Sequence, residues 1–193
     1  MADSRLRIEA MRFVVDAMLG RLARWLRIMG FDVLYPKDLS DDELVALANT
    51  EERTLLTKDG RLLREKKVNG YLVRSYGWED QLREVLDEFN LHDQVAPFSR
   101  CLECNQWLEV VPKEQVAETV PALVYQCQDQ FYRCPGCQRV YWNGTHVERM
   151  AGKLEGILHA EAKIPAGGQP STTTEEVRQT AETELARRRE EWS

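Results

Sequence analysis

The first hundred residues contain no cysteine, and no histidine occurs before His92. These absences remove thiol and imidazole nucleophiles, and any thiolate metal site, from roughly the first half of the chain. No Gly-x-x-x-x-Gly-Lys or Gly-x-Gly-x-x-Gly run is present, so a glycine-rich nucleotide cradle is not indicated. No stretch approaches the roughly 18 apolar residues of a membrane span, and no apolar segment follows the opening Met1-Ala2-Asp3-Ser4-Arg5. The expectation is a cytoplasmic protein with no membrane partner. An excess of basic charge is also missing: the net charge is −6. That disfavours a protein that coats nucleic acid by bulk electrostatics. It does not exclude an enzyme acting on nucleic acid, because an acidic metal site adds negative charge that bound cations neutralise. Residues 11–95 hold 13 basic and 16 acidic side chains, so the charge is mixed rather than polarised.

What is present, from Met11 to Asn90, is an alternation of short apolar runs with amphipathic stretches. Phe13-Val14-Val15 reads as a strand. Ala17 to Met29 reads as a helix, with Met18, Leu22, Trp25 and Met29 on one stripe and Leu19, Ala23 and Leu26 beside it. Gly30 closes it as a C′ residue. Val33-Leu34-Tyr35 is a second strand, stopped by Pro36. Ser40-Asp41-Asp42-Glu43 is a capping box that opens a helix to about Glu51. Arg53 to Thr57 follows as a strand, about Arg61 to Lys67 as a helix, Tyr71-Leu72-Val73 as a strand and Glu79 to Phe89 as a helix. This order implies an α/β fold with a mostly parallel sheet flanked by helices, and chemistry at the C-terminal ends of its strands.

The character changes at Pro97-Phe98. Residues 98–150 are rich in Cys, Trp, Tyr and Phe and lack long helical periodicity, which suits a ribbon built around a metal. The 29 residues between the cysteine pairs suggest a helix around Pro112–Glu118 and a strand around Leu123–Tyr125. Residues 151–193 form a third region, a flexible or partly helical charged tail that includes a Pro165–Thr174 linker.

Cys101-x-x-Cys104 and Cys134-x-x-Cys137 each place two thiolates on one tight turn, and two such turns complete a tetrahedral Cys₄ zinc shell. Fully thiolate-ligated zinc has no open position, so its role is structural. Cys127 and His146 are conceivable substitutes, but each reads better as a partly buried residue packed on the ribbon.

Three aspartates stand out by position. Asp16 follows the first strand, Asp59 follows the third in Thr57-Lys58-Asp59, and Asp41 opens the helix after the second. In a parallel sheet all three lie on one edge. Taken singly, each has a plain structural use: Asp16 and Asp59 suit helix N-caps, and Asp41 suits a first helical turn. Converging carboxylates stay ionised mainly when cations sit between them, and oxygen-only ligands favour Mg²⁺ or Mn²⁺. Ions so held activate water for phosphodiester hydrolysis. Arg21, Arg24 and Arg27, three residues apart, make a candidate basic edge for substrate, with a solvated helix face as the alternative. Gly20 within that helix implies close approach of a backbone, a substrate or packed neighbours.

The run Phe13-Val-Val-Asp16-Ala-Met-Leu-Gly20-Arg21-Leu-Ala-Arg24-Trp-Leu-Arg27, with Asp41, Leu44 and Ala48 and then Leu55-Leu-Thr57-Lys58-Asp59, resembles the Mut-seven C-terminal RNase family. So do Phe98-Ser-Arg100-Cys101-x-x-Cys104, Phe131-x-Arg133-Cys134-Pro-Gly-Cys137 and Tyr141-Trp142-x-Gly144-Thr145-His146. The resemblance covers about residues 12–150. It implies a PIN-like nuclease domain over 11–95, a zinc ribbon over 98–150 that aids RNA binding, and Mg²⁺- or Mn²⁺-dependent cleavage of RNA. Asp16, Asp41 and Asp59 match the family's acidic positions, with Asp80 as a candidate fourth acid and Asp42 as a register alternative to Asp41. A non-catalytic RNA-binding or ribosome-associated module on the same scaffold is the competing expectation. A phosphoacceptor domain fits worse, because Val15-Asp16-Ala17 offers one acid where two are wanted and Val73-Arg74-Ser75 offers no lysine.

Overall fold

A computed structural model describes residues 11–158. The charged tail expected beyond them lies outside the described residues. The chain folds as two compact units, the first ending at Asn105 and the second beginning at Gln106.

The first unit is built on four short parallel strands, β1 (Arg12–Val15), β2 (Asp32–Leu34), β3 (Thr54–Thr57) and β4 (Gly70–Leu72), in the order β2-β1-β3-β4. Helices alternate with them: α1 (Gly20–Ile28), α2 (Asp41–Thr50), α3 (Gly60–Glu65) and α4 (Trp78–Glu88). One face of the sheet buries Val14 and Leu55 against Leu44, Val45 and Ala48 of α2 and Leu62 of α3. On the other face Phe13 meets Phe89 edge-on, and Trp25 of α1 stacks on Trp78 of α4 with ring centroids 4.6 Å apart. The expected α/β architecture is therefore present, with helices on both faces.

Local signals account for much of this. Ser40 accepts from Glu43 N–H while the Glu43 carboxylate accepts from Ser40 N–H, the reciprocal capping box that starts α2. Gly30, at φ +93°, ends α1; a Cβ there would sit 2.8 Å from Ser99 Oγ and against the Ala96 carbonyl. One expectation fails at the start of α1. Ala17–Leu19 form a 3₁₀ turn rather than the first α-helical turn, so the 3.6-residue stripe does not reach back to Met18, which is 75 % exposed.

The first unit also continues past Pro97-Phe98. Phe98 N–H donates to Ile28 O (2.7 Å), and Arg100 donates to Gly30 O (3.0 Å) and to Asn105 O (2.8 Å). Arg27 is buried rather than part of a basic surface edge. Its Nε donates to Val33 O (2.9 Å), and its Nη1 donates to Leu102 O (2.9 Å) and Glu103 O (2.8 Å). Asn105 completes the pattern, accepting from Val33 N–H (3.0 Å) and donating to Asp32 (2.9 Å). The outer edge of β2 thus has both polar groups of Val33 satisfied by side chains, which closes it to further strand pairing.

The second unit carries a three-stranded antiparallel sheet, β5 (Glu109–Val111), β6 (Phe131–Arg133) and β7 (Val140–Trp142), in chain order. Val116, Val120 and Phe131 form its core, with Val124, Tyr125 and Trp142 packed on them. Lys113–Val116 is a 3₁₀ turn, close to the expected helix. Leu123–Tyr125, expected as a strand, lies inside α5 (Ala122–Cys127); a short apolar run has no period of its own to separate the two. A further helix, α6 (Thr145–Leu158), runs across Met150 and buries Met150, Leu154 and Ile157. Ordered structure therefore extends into the residues assigned from sequence to the tail. No helix among the described residues is long and apolar enough to cross a membrane.

At the N-terminal end of the sheet, Asp32 is ion-paired with buried Arg53 and lies 3.8 Å from Arg100. Burial pushes the Asp32 carboxyl up, but the hydrogen bonds and charges of Arg53, Asn105 and Arg100 leave it below the usual carboxylate value. Its contribution to stability is therefore present above about pH 4 and is lost as pH falls through the lowered value. Asp32→Ala strands the buried Arg53 charge and should destabilise the protein by about 3 kcal/mol in urea unfolding at neutral pH. The gap between wild type and variant should narrow as the wild type is titrated below pH 4.

Candidate metal centre and acidic strand ends

The two Cys-x-x-Cys turns share a backbone design. Asn105 N–H donates to Cys101 O (3.0 Å), and Gln138 N–H donates to Cys134 O (2.9 Å). Both donors are left-handed, at φ +68° and +60°, so each turn folds back and aims its two sulfurs the same way. The sulfurs of Cys101, Cys104, Cys134 and Cys137 all lie within 4.8 Å of one another, with Cys101 and Cys134 buried. Four sulfurs around a zinc ion at about 2.3 Å are separated by about 3.8 Å, so the donor set and its spacing fit a tetrahedral thiolate site. Cys127 and His146 are exposed and do not belong to this group. Burial draws the Arg27 guanidinium below its ordinary value, against the opposing pull of Cys101, Cys104, Glu103 and Asp32.

At the C-terminal ends of the strands, β1 leads to β2 on one side and β3 lies on the other, so the chain changes direction between β1 and β3. Ligands of open parallel sheets gather at this kind of switch point. Asp16 leaves β1 there and Asp59 follows β3. The hydroxyl of Thr57, fully buried at the end of β3, links them: Oγ1 donates to Asp16 Oδ2 (2.6 Å) and accepts from Asp59 N–H (2.9 Å). Each carboxylate also caps the turn that follows. Asp16 Oδ1 accepts from Met18 N–H (3.3 Å), and Asp59 Oδ1 accepts from Arg61 N–H (2.7 Å) and Leu62 N–H (3.3 Å). The capping role and the edge position are thus compatible, because Asp59 Oδ2 takes no hydrogen bond from the described residues. Thr57 has no role in the sequence pattern taken alone. Its local signal is a hydroxyl at the last position of an apolar strand, two residues before an acid.

The other candidates lie farther out. Asp41, exposed at the start of α2, makes no hydrogen bond or ion pair among the described residues, and it is not joined to Asp16 and Asp59. Asp42 pairs with Lys66 (2.6 Å). Asp80, in the first turn of α4, pairs with Arg83 (2.9 Å). Arg21 and Arg24 are exposed on α1. Gly20 is explained by packing: a Cβ would fall 2.9 Å from Tyr35 Cζ and against its hydroxyl, which donates to Ala17 O (2.8 Å) beside Asp16.

A family model described as Mut7-C RNAse domain matches residues 11–154. The chain belongs to the Mut7-C RNase domain family. Exonuclease mut-7 of Caenorhabditis elegans is 29 % identical over 114 residues, which are 51 % of this chain and 12 % of that protein. No solved structure matches. The Mut7-C match spans both the acidic strand ends and the four cysteines, so both belong to the part that defines the family.

For this Mut7-C RNase domain, elemental analysis of purified protein should find a thiolate-bound metal at about one equivalent per chain. Cys134→Ser combined with Cys137→Ser should lose it. Gly20→Ala should destabilise the fold by 1 kcal/mol or more, roughly the scale of an overpacked site, despite alanine's better helix propensity. An unchanged unfolding midpoint would show that Tyr35 moves aside freely.

Proposed function

We propose that this chain is a metal-dependent ribonuclease on a PIN-type fold, with a structural zinc ion in the Cys₄ site. The observation that carries it is the Asp16–Thr57–Asp59 relay at the switch point between β1 and β3. Two carboxylates at neighbouring strand ends, with a buried hydroxyl that donates to the Asp16 carboxylate and accepts from the Asp59 main-chain N–H, suit a hard cation of the Mg²⁺ or Mn²⁺ kind, which is held by one or two carboxylates while keeping several waters. When bound, such an ion supplies Lewis acidity to phosphodiester oxygens and lowers the pKa of water. The protein's own part is orientation. Thr57 holds Asp16 through Oδ2 and the Met18 N–H holds it through Oδ1, the start of α3 holds Asp59 through Oδ1, and Asp59 Oδ2 is left for ligands. Asp41 is the third acid in this reading and Asp80 the outlying fourth, both on helix starts at the same end of the sheet. Arg21 and Arg24 offer exposed guanidinium groups to backbone phosphates on the helix after Asp16.

Membership of an RNase domain family supports RNA as the substrate class, and the similarity to a protein named as an exonuclease supports nuclease chemistry. Cleavage of a mixed structured and single-stranded RNA pool should require Mg²⁺ or Mn²⁺ and stop in EDTA. Asp16→Asn and Asp59→Asn should abolish it while keeping the metal of the Cys₄ site. Thr57→Val keeps the strand's shape but removes the link, and should lower activity about 10- to 100-fold. RNA binding at full strength in EDTA, with no turnover in any of these metals, would instead favour a non-catalytic binding module.

A further inference from the structure

Tyr76, on the loop between β4 and α4, is 96 % exposed. Its loop is nevertheless held by three side chains. The Glu84 carboxylate accepts from Arg74 N–H (2.7 Å) and Ser75 N–H (2.8 Å). Gln81, itself buried, donates through Nε2 to Ser75 O and Tyr76 O, each at 3.1 Å. Lys58 reaches across from the end of β3, donating through Nζ to Arg74 O (3.2 Å) and Ser75 O, and lies 4.8 Å from the centre of the Tyr76 ring. A loop pinned at three successive residues, with an ammonium against its aromatic ring, is a rigid pedestal for a ring left in solvent. Nothing in the packing of the first unit requires that ring.

The placement is also selective. The first unit exposes three large apolar side chains among its described residues: Met18, Leu39 and Tyr76. Met18 lies in the turn after Asp16, Leu39 between β2 and α2, and Tyr76 after β4. All three occupy connections at the C-terminal ends of the strands. With the order β2-β1-β3-β4, the sequence along that edge is Leu39, then Asp16 with Met18, then Asp59 with Lys58, then Tyr76. Neighbouring strands are about 4.8 Å apart, so Tyr76 lies on the order of 10 Å from the β1 end. That is the reach of the nucleotide next to a phosphate held at the aspartates.

We propose that Tyr76 is a stacking platform for an unpaired base beside the reacting phosphodiester, and that this edge therefore takes single-stranded RNA. Every base has a π-face, so stacking on a tyrosine is tolerant of sequence but demands an unpaired base. Lys58 backs the ring and fixes the loop, which lowers the entropy lost on stacking. The inference rests on the nuclease reading for where the phosphate sits, and its test is made on binding so that the two can fail separately.

The measurement is fluorescence anisotropy of a labelled, mixed-sequence single-stranded oligoribonucleotide and of its duplex, in EDTA, with wild type, Tyr76→Ala, Tyr76→Phe and Tyr76→Trp. Wild type should bind the single strand more tightly than the duplex. Tyr76→Ala should weaken single-strand binding about 10-fold, with an unchanged melting temperature. The phenylalanine and tryptophan variants should bind as wild type does. Equal binding by Tyr76→Ala and wild type overturns the inference, as does a loss in Tyr76→Phe equal to that in Tyr76→Ala, or no preference for the single strand. Asp16-dependent cleavage alongside normal binding by Tyr76→Ala would remove the platform and leave the nuclease. A binding loss in Tyr76→Ala with no cleavage by wild type would do the reverse.

Discussion

The first unit depends on a buried guanidinium. Arg27 leaves the middle of α1, takes the Val33 carbonyl of the edge strand, and with its other end holds the carbonyls of Leu102 and Glu103. The loop that presents Cys101 and Cys104 is therefore fastened to the sheet by a side chain more than 70 residues earlier. Asn105 and Arg100 repeat the arrangement from the opposite direction, reaching back from the loop to Val33, Asp32 and Gly30. An exposed strand edge is normally a liability; here the same donors that cover it define the position of two metal ligands. Buried cations of this kind are tolerated because carbonyls and a carboxylate are there to receive their charge.

The two ends of the sheet have divided their duties. The N-terminal end gathers Asp32, Arg53, Arg12 and Glu51 into a paired network in which the buried charge is satisfied. The C-terminal end keeps Asp16 and Asp59 near each other without a basic partner, joined only by the neutral hydroxyl of Thr57. Carboxylate capacity is left over where the strands open into loops, as expected of an open parallel sheet.

Much of this was legible because local rules and global fold agree. The alternation of strands and helices, the capping box at Ser40–Glu43, the C′ role of Gly30 and the paired Cys-x-x-Cys turns each follow from a few neighbouring residues. The failures share a different cause. Arg27 looked like surface charge because its partners arrive from residues 102 and 103. Met18 looked buried because helical periodicity was extended through a 3₁₀ turn. Leu123–Tyr125 looked like a strand because three apolar residues carry no period. Helix α6 does carry one, in Met150, Leu154 and Ile157, but it runs across the change in composition near residue 150 that reads as a boundary. Thr57 was visible but had no reason to matter until the parallel register placed it between two acids.

The two left-handed residues that close the cysteine turns look equivalent in backbone terms and are not equivalent in chemistry. Gln138 uses its side chain within its own turn, on the Pro135 carbonyl, whereas Asn105 satisfies both the amide of Val33 and the carboxylate of Asp32. Glycine would adopt either backbone with less strain. At position 138 that exchange gives up one local contact. At position 105 it would reopen the edge of the sheet and unbalance the Asp32 network. The same five-residue design is thus interchangeable in one copy and locked in the other, and drift in sequence has room to act on Gln138 that it lacks at Asn105.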